Sequence, residues 1–460
     1  MMKYCRWFIL FVLFTVSGCH GSGNGSAVHV ATDFESGSIG EVLILSDGEL
    51  ELSLANDNHN PDLPKRWRNW WYVRIENLSV EQPVIIRLKN RGWPYYYLPV
   101  YSYDQETWYR FTESDVSQDA EDEITMEKQF DFSTVWIARF YPYSFSNLEA
   151  YIQSVEDIPY LEVKTAGTTQ NGYPIRLLTL TDFDIPHTDK KRIWMHARTH
   201  PAETGPSFLI EGLMNFLLSD TNEARDILSK FIFNIVAMQN VDGVIVGNYR
   251  TTPESENLEV MWFSDPENSL LLTNDAPKEV EVLHQTILNF LNEGPPITIA
   301  LNLHASNSEP DCRPFFFPHF GPESLGYKER EASLWHKQIR FIGSLARHYG
   351  TEMLEPVPEQ GGSSFASKSY PESWWWKNFQ DLVMAITLET TYGQAGYAPR
   401  WIEPSDLRKL GHDVALAVRD YSDPSITAAE LAVGLEREIG RSDLEFPELY
   451  PPDDSDELKE

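Results

Sequence analysis

Two hydrophobic rhythms divide the chain. From about residue 32 to 145, apolar and polar positions alternate in short runs: LILSDGELELSLAN, WRNWWYVRIENL, PVIIRLKN and WIARFYPYSF. The runs are separated by the turn signals SDG, HNPD and RGWP. A period of two sends successive side chains to opposite faces, so these runs predict strands with one buried face. Several short strands with many aromatics predict an all-β sandwich over 32–148. It carries no cluster of ligating residues, so its expected role is structural or substrate-positioning.

After YSFSNLEAYIQSV the rhythm changes. RIWMHAR (192–198), FIFNIVAM (231–238), ITIALNLHA (297–305) and LVMAITLE (382–389) are continuous apolar runs of strand length. Between them SFLIEGLMNFLL (207–218), PKEVEVLHQTILNFLNE (277–293) and SLWHKQIRFIGSLARHY (333–349) carry a helical spacing. Strands buried on both sides, alternating with helices, predict an α/β domain over 149–425: a mixed sheet with helices on both faces. Ligands of such sheets collect at the carboxyl ends of the strands. Residues 426–460 are expected to form a C-terminal helix and an acidic, Pro-rich disordered tail, EFPELYPPDDSDELKE.

Composition narrows the choice of partner. A length of 460 residues suits two domains, and 42% hydrophobic residues with 14 Trp suit real cores. A net charge of -32 argues against nucleic acid as a partner, because a polyanion is repelled. At the N-terminus, Lys3 and Arg6 lead into an apolar run from Trp7 to Val16, too short to span a bilayer. Val16-Ser17-Gly18-Cys19 resembles a bacterial lipobox. The expectation is a lipoprotein signal peptide over 1–18, lipidation at Cys19, and a flexible tether over 19–31. That implies an exported, lipid-anchored protein of the cell envelope, on the periplasmic side of the outer membrane. Only Cys312 then remains in the soluble part, which excludes an intramolecular disulfide or a Cys-based metal site.

The candidate chemistry lies at the strand ends. His200 and Glu203 follow RIWMHAR in a loop held out of helical geometry by Pro201 and Pro206, with the next helix expected near Ser207. His304 stands at the end of ITIALNLHA. Two His and one Glu so placed make a three-ligand set for one zinc ion, leaving a position for water. Glu389, ending a fourth strand, is a carboxylate able to take a proton from water there. His196, inside a strand, is assigned a structural role.

HPAE, QNVDGVIVGNYR, LNLHASNS and ITLETTYG together resemble the zinc metallocarboxypeptidase family, in its cytosolic-carboxypeptidase-like branch. FESGSIGE, WYRF and ARFYPYSFSNLE are similar to the β-sandwich domain that precedes the catalytic domain in that branch. The resemblance covers roughly 32 to 420. It implies zinc on His200, Glu203 and His304, Glu389 as general base and acid, and Arg250 polarising the scissile carbonyl. It also implies a Tyr near the leaving group. Tyr370 in SKSYPESWWW stands either as that counterpart or as part of an aromatic core.

One departure bears on specificity. The family places an Asp-x-Asn-Arg-x-Trp stretch after GNYR, whose Asn and Arg hold a terminal carboxylate. Here the stretch is NLEVMW (257–262), with Glu259 in place of Asn and Val260 in place of Arg. An anion and an apolar group there repel a carboxylate, unless Arg250 or a cation such as Lys368 compensates. The expected function is zinc-dependent hydrolysis of an amide bond in a peptide or peptide-like substrate, with altered carboxylate recognition. The removal of poly-glutamate is disfavoured by Glu259. In a cell envelope, a peptidoglycan stem peptide fits. Two alternatives stay open: an amidohydrolase or deacylase of N-acyl amino acids or muropeptides, and a non-catalytic zinc-binding module for peptide or glycan.

Overall fold

A computed structural model describes residues 27–427, apart from 121, 307–312 and 397. The signal-like segment with Cys19, Cys312 and the acidic tail lie outside the described residues.

The alternating runs form two five-stranded sheets packed face to face. One sheet has the order 29–31, 72–76, 135–138, 100–102, 108–110; the other 41–46, 49–53, 84–89, 123–128, 116–120. Leu50, Leu52, Ile86 and Leu88 meet Trp71, Val73, Ile75 and Ile137 between them. The outer face of the first sheet is apolar where the second body covers it. Trp70, Tyr72, Val100 and Ala138 turn outward and join the core of the following domain. The two bodies are therefore welded rather than loosely tethered. Arg110 adds a bond from its Nε to Glu403 (3.1 Å), the residue that caps the helix Pro404–Ser422.

Seven strands make the second body's sheet: β1 (Leu161–Thr168), β2 (Pro174–Leu180), β3 (Lys191–Ala197), β4 (Phe231–Val236), β5 (Ile297–Ser306), β6 (Phe315–Phe317) and β7 (Met384–Thr391). Their order is β1-β2-β4-β3-β5-β7-β6. The four central strands β4, β3, β5 and β7 run parallel, and β1, β2 and β6 pair antiparallel at the edges. The four apolar runs of the sequence are these central strands.

Odd and even positions of the strands feed different cores. Ile193, Met195, Leu301, Leu303, Ile386 and Leu388 face α1 (Gly205–Leu217), α3 (Glu329–Tyr349) and α5 (Pro404–Ser422). Trp194, Ala300 and Ala385 face α2 (Lys278–Asn292) and α4 (Pro371–Phe379). Helix α1 starts at Gly205, so Pro206 lies in its first turn rather than before it. A proline is tolerated there because the first amides have no partner within the helix. α1 and α5 cross closely at two glycines. A Cβ on Gly212 would lie 1.9 Å from the Arg408 carbonyl oxygen, and one on Gly411 1.8 Å from that of Leu209. Any larger residue at either position would push α1, and the loop leading into it, away from the sheet.

Candidate metal centre

β3 runs into the loop 198–204, and its first residue carries strain. Arg198 sits at φ 58°, left-handed backbone that costs a non-glycine residue roughly 1–3 kcal/mol. Its buried guanidinium holds the conformation. Nε donates to the Pro201 carbonyl (2.9 Å), and Nη1 to the Tyr143 carbonyl and to Ser207 Oγ (both 2.8 Å). Burial pushes the guanidinium down to about 10, which still leaves it a cation at neutral pH. Asn240 Nδ2 donates to the Thr199 carbonyl (3.2 Å), and the Tyr392 hydroxyl to that of Ala202 (3.1 Å). The loop is tied on several sides.

So held, it brings together the three residues expected to be ligands. His200 Nδ1 lies 2.8 Å from Glu203 Oε1, His304 Nδ1 lies 2.8 Å from Glu203 Oε2, and the two Nδ1 atoms are 3.1 Å apart. All three side chains are buried. Two imidazole nitrogens at that spacing need a proton or a cation between them. The carboxylates of Glu203 and Glu259 flank His304 and push its imidazole up well above the usual range, against the effect of burial. Glu203 is held well below the usual carboxylate range, the two histidines outweighing its burial.

The donor set fits zinc. At metal–ligand lengths of about 2.1 Å, ligand atoms of a tetrahedral ion sit about 3.4 Å apart, so the 2.8–3.1 Å spacings here need only open by a few tenths of an ångström. The outer nitrogens are also engaged, which leaves each Nδ1 for the metal. His200 Nε2 meets Asn257 Oδ1 (3.1 Å), and His304 Nε2 meets Glu259 Oε2 (3.1 Å). Glu259 Oε1 accepts from Asn302 Nδ2 (2.9 Å), and Asn257 Oδ1 accepts from the Glu259 amide (3.2 Å). One short 3-10 turn, Leu258–Val260, together with its capping residue Asn257, therefore orients both imidazoles. Partners of this kind fix the tautomer and raise the basicity of the ligating nitrogen.

Read from sequence, Glu259 is a replaced substrate clamp; in the structure its carboxylate is turned onto His304. Glu259→Gln keeps the size but places an amide NH2 toward one of two donors. Zinc affinity, measured by competition with a chelating dye, is expected to fall about 10–100-fold. An unchanged affinity would contradict this role.

Glu389 pairs in register with His304 across β5 and β7, so the two side chains share one face of the sheet. Its Oε2 is buried with no hydrogen-bond partner among the described residues. Burial pushes the carboxyl up to about 8, opposed by His304 and Arg250 and reinforced by Glu203 and Glu259. Arg250 Nη1 stands 4.0 Å from Glu203 Oε1, with its guanidinium 5.5 Å from the centre of the Trp67 ring. Tyr370 packs against the Phe320, Leu334 and Phe365 cluster at the head of α4, which is the aromatic-core placement. Lys368 caps the short turn Ser364–Ser367. His196 is buried between Trp194 and Trp262, and burial lowers it to about 4. Sequence reasoning passed over Arg198, Asn257 and Asn302. Arg198 had a local signal, an arginine beside the ligand loop in HARTHPAE.

Known proteins match this chain in sequence and in fold. The cytosolic carboxypeptidase N-terminal domain matches residues 30–140, and the zinc carboxypeptidase domain matches 148–307. Residues 148–307 thus resemble a zinc carboxypeptidase domain. Cytosolic carboxypeptidase 6 of Caenorhabditis elegans is 24% identical over 351 residues, covering 72% of this chain and 73% of that protein. Mouse cytosolic carboxypeptidase 3 is 29% identical over 259 residues, covering 49% of this chain. The match spans only 25% of the mouse protein, and 43% of Xenopus tropicalis cytosolic carboxypeptidase 2.

Among solved structures, a metallo-carboxypeptidase from Burkholderia cenocepacia superposes with a TM-score of 0.71 at 21% identity, over 87% of this chain and all of that one. A Pseudomonas aeruginosa metallo-carboxypeptidase in complex with (2-guanidinoethylmercapto)succinic acid gives 0.68 at 21% identity, over 89% of this chain and 100% of that one. These share the fold of this chain: the β-rich body followed by the mixed sheet. The family uses zinc, and the His200–Glu203–His304 triad can bind one metal ion.

The comparisons overturn one expectation. The relatives are named cytosolic carboxypeptidases, which points away from an exported lipoprotein anchored at Cys19 in a cell envelope. The expectation rested on a short apolar run behind two basic residues, a pattern of low information next to matches over the folded bodies.

Proposed function

We propose that the chain hydrolyses an amide bond near the carboxyl end of a peptide, with His200, Glu203 and His304 as zinc ligands. A zinc ion held there supplies Lewis acidity, which polarises a carbonyl and makes water easier to deprotonate. Glu389, facing the triad from β7, accepts the proton of the attacking water and returns it to the leaving nitrogen. Arg250 lies against the triad as a permanent cation for the charge developing on the carbonyl oxygen. The observation that carries this reading is the in-register pair His304 and Glu389, with one buried carboxylate oxygen that has no hydrogen-bond partner among the described residues.

Charge near the triad sets the preference. Glu259 is buried beside it, and Glu372 is buried nearby with Oε1 accepting from Thr387 Oγ1 (2.7 Å). Burial, together with the Glu259 charge, pushes the Glu372 carboxyl up to about 7. A second carboxylate entering this surrounding is disfavoured, and a cationic or uncharged group is preferred. Peptides of one sequence ending in Lys, Ala or Glu test this, with products read by mass spectrometry at saturating zinc. Lys or Ala is expected to exceed Glu by about tenfold or more in kcat/KM, the equivalent of ~1.4 kcal/mol. Glu259→Gln is expected to narrow the gap. A gap that Glu259→Gln leaves unchanged, or a preference for Glu, would overturn the specificity reading while leaving hydrolysis intact.

A further inference from the structure

The β-rich body reaches into the site through one buried carboxylate. Asp57, in the short turn Asp57–His59, takes four hydrogen bonds from the segment carrying Arg250. The amide of Tyr249 donates to Oδ1 (2.6 Å), and the amides of Arg250 and Thr251 donate to Oδ2 (both 2.8 Å). Thr251 Oγ1 adds a fourth bond, at 3.0 Å. Three successive amides converging on one carboxylate fix the direction of the backbone between them, and with it the direction in which Arg250 leaves the chain.

The surroundings extend the hold. Asn58 Nδ2 donates to the Thr252 carbonyl (2.9 Å), and Asn248 Nδ2 to Asn58 Oδ1 (3.0 Å). Ser36 Oγ donates to the Val244 carbonyl (2.9 Å), and the Ser36 amide to that of Ile245 (3.2 Å). Gly247, at φ 77°, passes so close to Gly37 that a Cβ would lie 2.4 Å from its carbonyl oxygen. The Trp67 ring, also from the β-rich body, lies beside the Arg250 guanidinium. On its far side the same segment touches the ligand loop, where the Ala202 amide donates to the Tyr249 carbonyl (3.1 Å).

We infer that Asp57 is a positioning residue, and that the β-rich body completes the active site by holding Arg250 against the metal triad. This goes beyond the proposed function while resting on it for the role of Arg250. Asparagine at 57 is the informative change. It keeps the volume but supplies one acceptor oxygen and an NH2 that opposes a backbone donor.

The test uses the full chain loaded with zinc and the best-cleaved peptide of the Lys, Ala and Glu series. Asp57→Asn, Arg250→Ala and the double variant are compared, with Arg110→Ala as a contact between the bodies outside the Arg250 segment. Displacing a positioned group by about 1 Å costs up to ~100-fold, so Asp57→Asn is expected to lower kcat by roughly 10–100-fold with little change in KM. In the Arg250→Ala background it is expected to cost nothing further. Arg110→Ala is expected to lower the melting temperature and leave kcat in place. An equal loss from Asp57→Asn in both backgrounds, or a loss in KM alone, would overturn the inference. Amide hydrogen exchange over 248–252 gives a readout independent of turnover. Asp57→Asn is expected to lose protection there, and not in β3 or β5. If the wild type cleaves no peptide, the proposed function falls and exchange alone decides this point; unchanged protection would overturn it.

Discussion

His304→Ala is expected to yield a folded chain that no longer retains zinc and no longer turns over. His304 Nδ1 is one corner of the triad, and its Nε2 is the partner of Glu259. Removing the ring takes away a ligand and leaves Glu203 and Glu259 as buried anions with nothing between them. Zinc sites bind with about 10–16 kcal/mol shared among four ligands, so one ligand is worth roughly 3 kcal/mol, over a hundredfold in affinity. Zinc content after dialysis against a chelator should fall from one per chain to near zero. Added zinc should raise the melting temperature of the wild type but not of the variant, because only the wild type gains binding energy in its folded state. A variant that keeps one tightly held zinc would place the metal elsewhere.

Glu389→Gln separates binding from chemistry. The amide is isosteric, touches no ligand in the hydrogen-bond network around the triad, and cannot carry a proton from water to a leaving amine. Turnover is expected to drop about 10²–10⁴-fold with zinc still at one per chain. In the protein alone, burial raises the Glu389 carboxyl to about 8. A dication beside it favours the ionised form and draws that value down. The base form then exists above this lowered value, so activity of the loaded enzyme should rise with pH along a limb below 8. Glu389→Gln should abolish that limb rather than shift it.

The candidate site was largely legible in the sequence because of how parallel sheets are built. Central strands buried on both faces read as unbroken apolar runs, so β3, β4, β5 and β7 stood out, and the polar residues at their ends with them. The antiparallel edge was less visible. β1, LEVKTAGT, is half exposed and rich in polar residues, so its alternation is weak. The sandwich showed itself as a set of strands. Its docking did not, because Trp70 and Tyr72 look like ordinary strand aromatics until the second core is seen behind them.

Side-chain direction was the part hidden from sequence. Glu259 could be aligned to a clamp position by its spacing from Arg250, but not seen to turn onto His304. Asn257 on His200 and Asp57 on the Arg250 segment join residues far apart in the chain, and neither has a local pattern. The N-terminal reading failed for a related reason. A basic pair before ten apolar residues is a short signal, and the relatives of the folded bodies carry names that contradict it.

The most direct test incubates the zinc-loaded wild type and Glu389→Gln with the same peptide mixture, reading products by mass spectrometry and metal by elemental analysis. Loss of single C-terminal residues by the wild type is predicted, at a rate about 10²–10⁴-fold lower in Glu389→Gln, with one zinc per chain in both. Equal products from the two proteins, or a wild type that holds zinc and cleaves nothing, would contradict the assignment of Glu389 and the triad to hydrolysis.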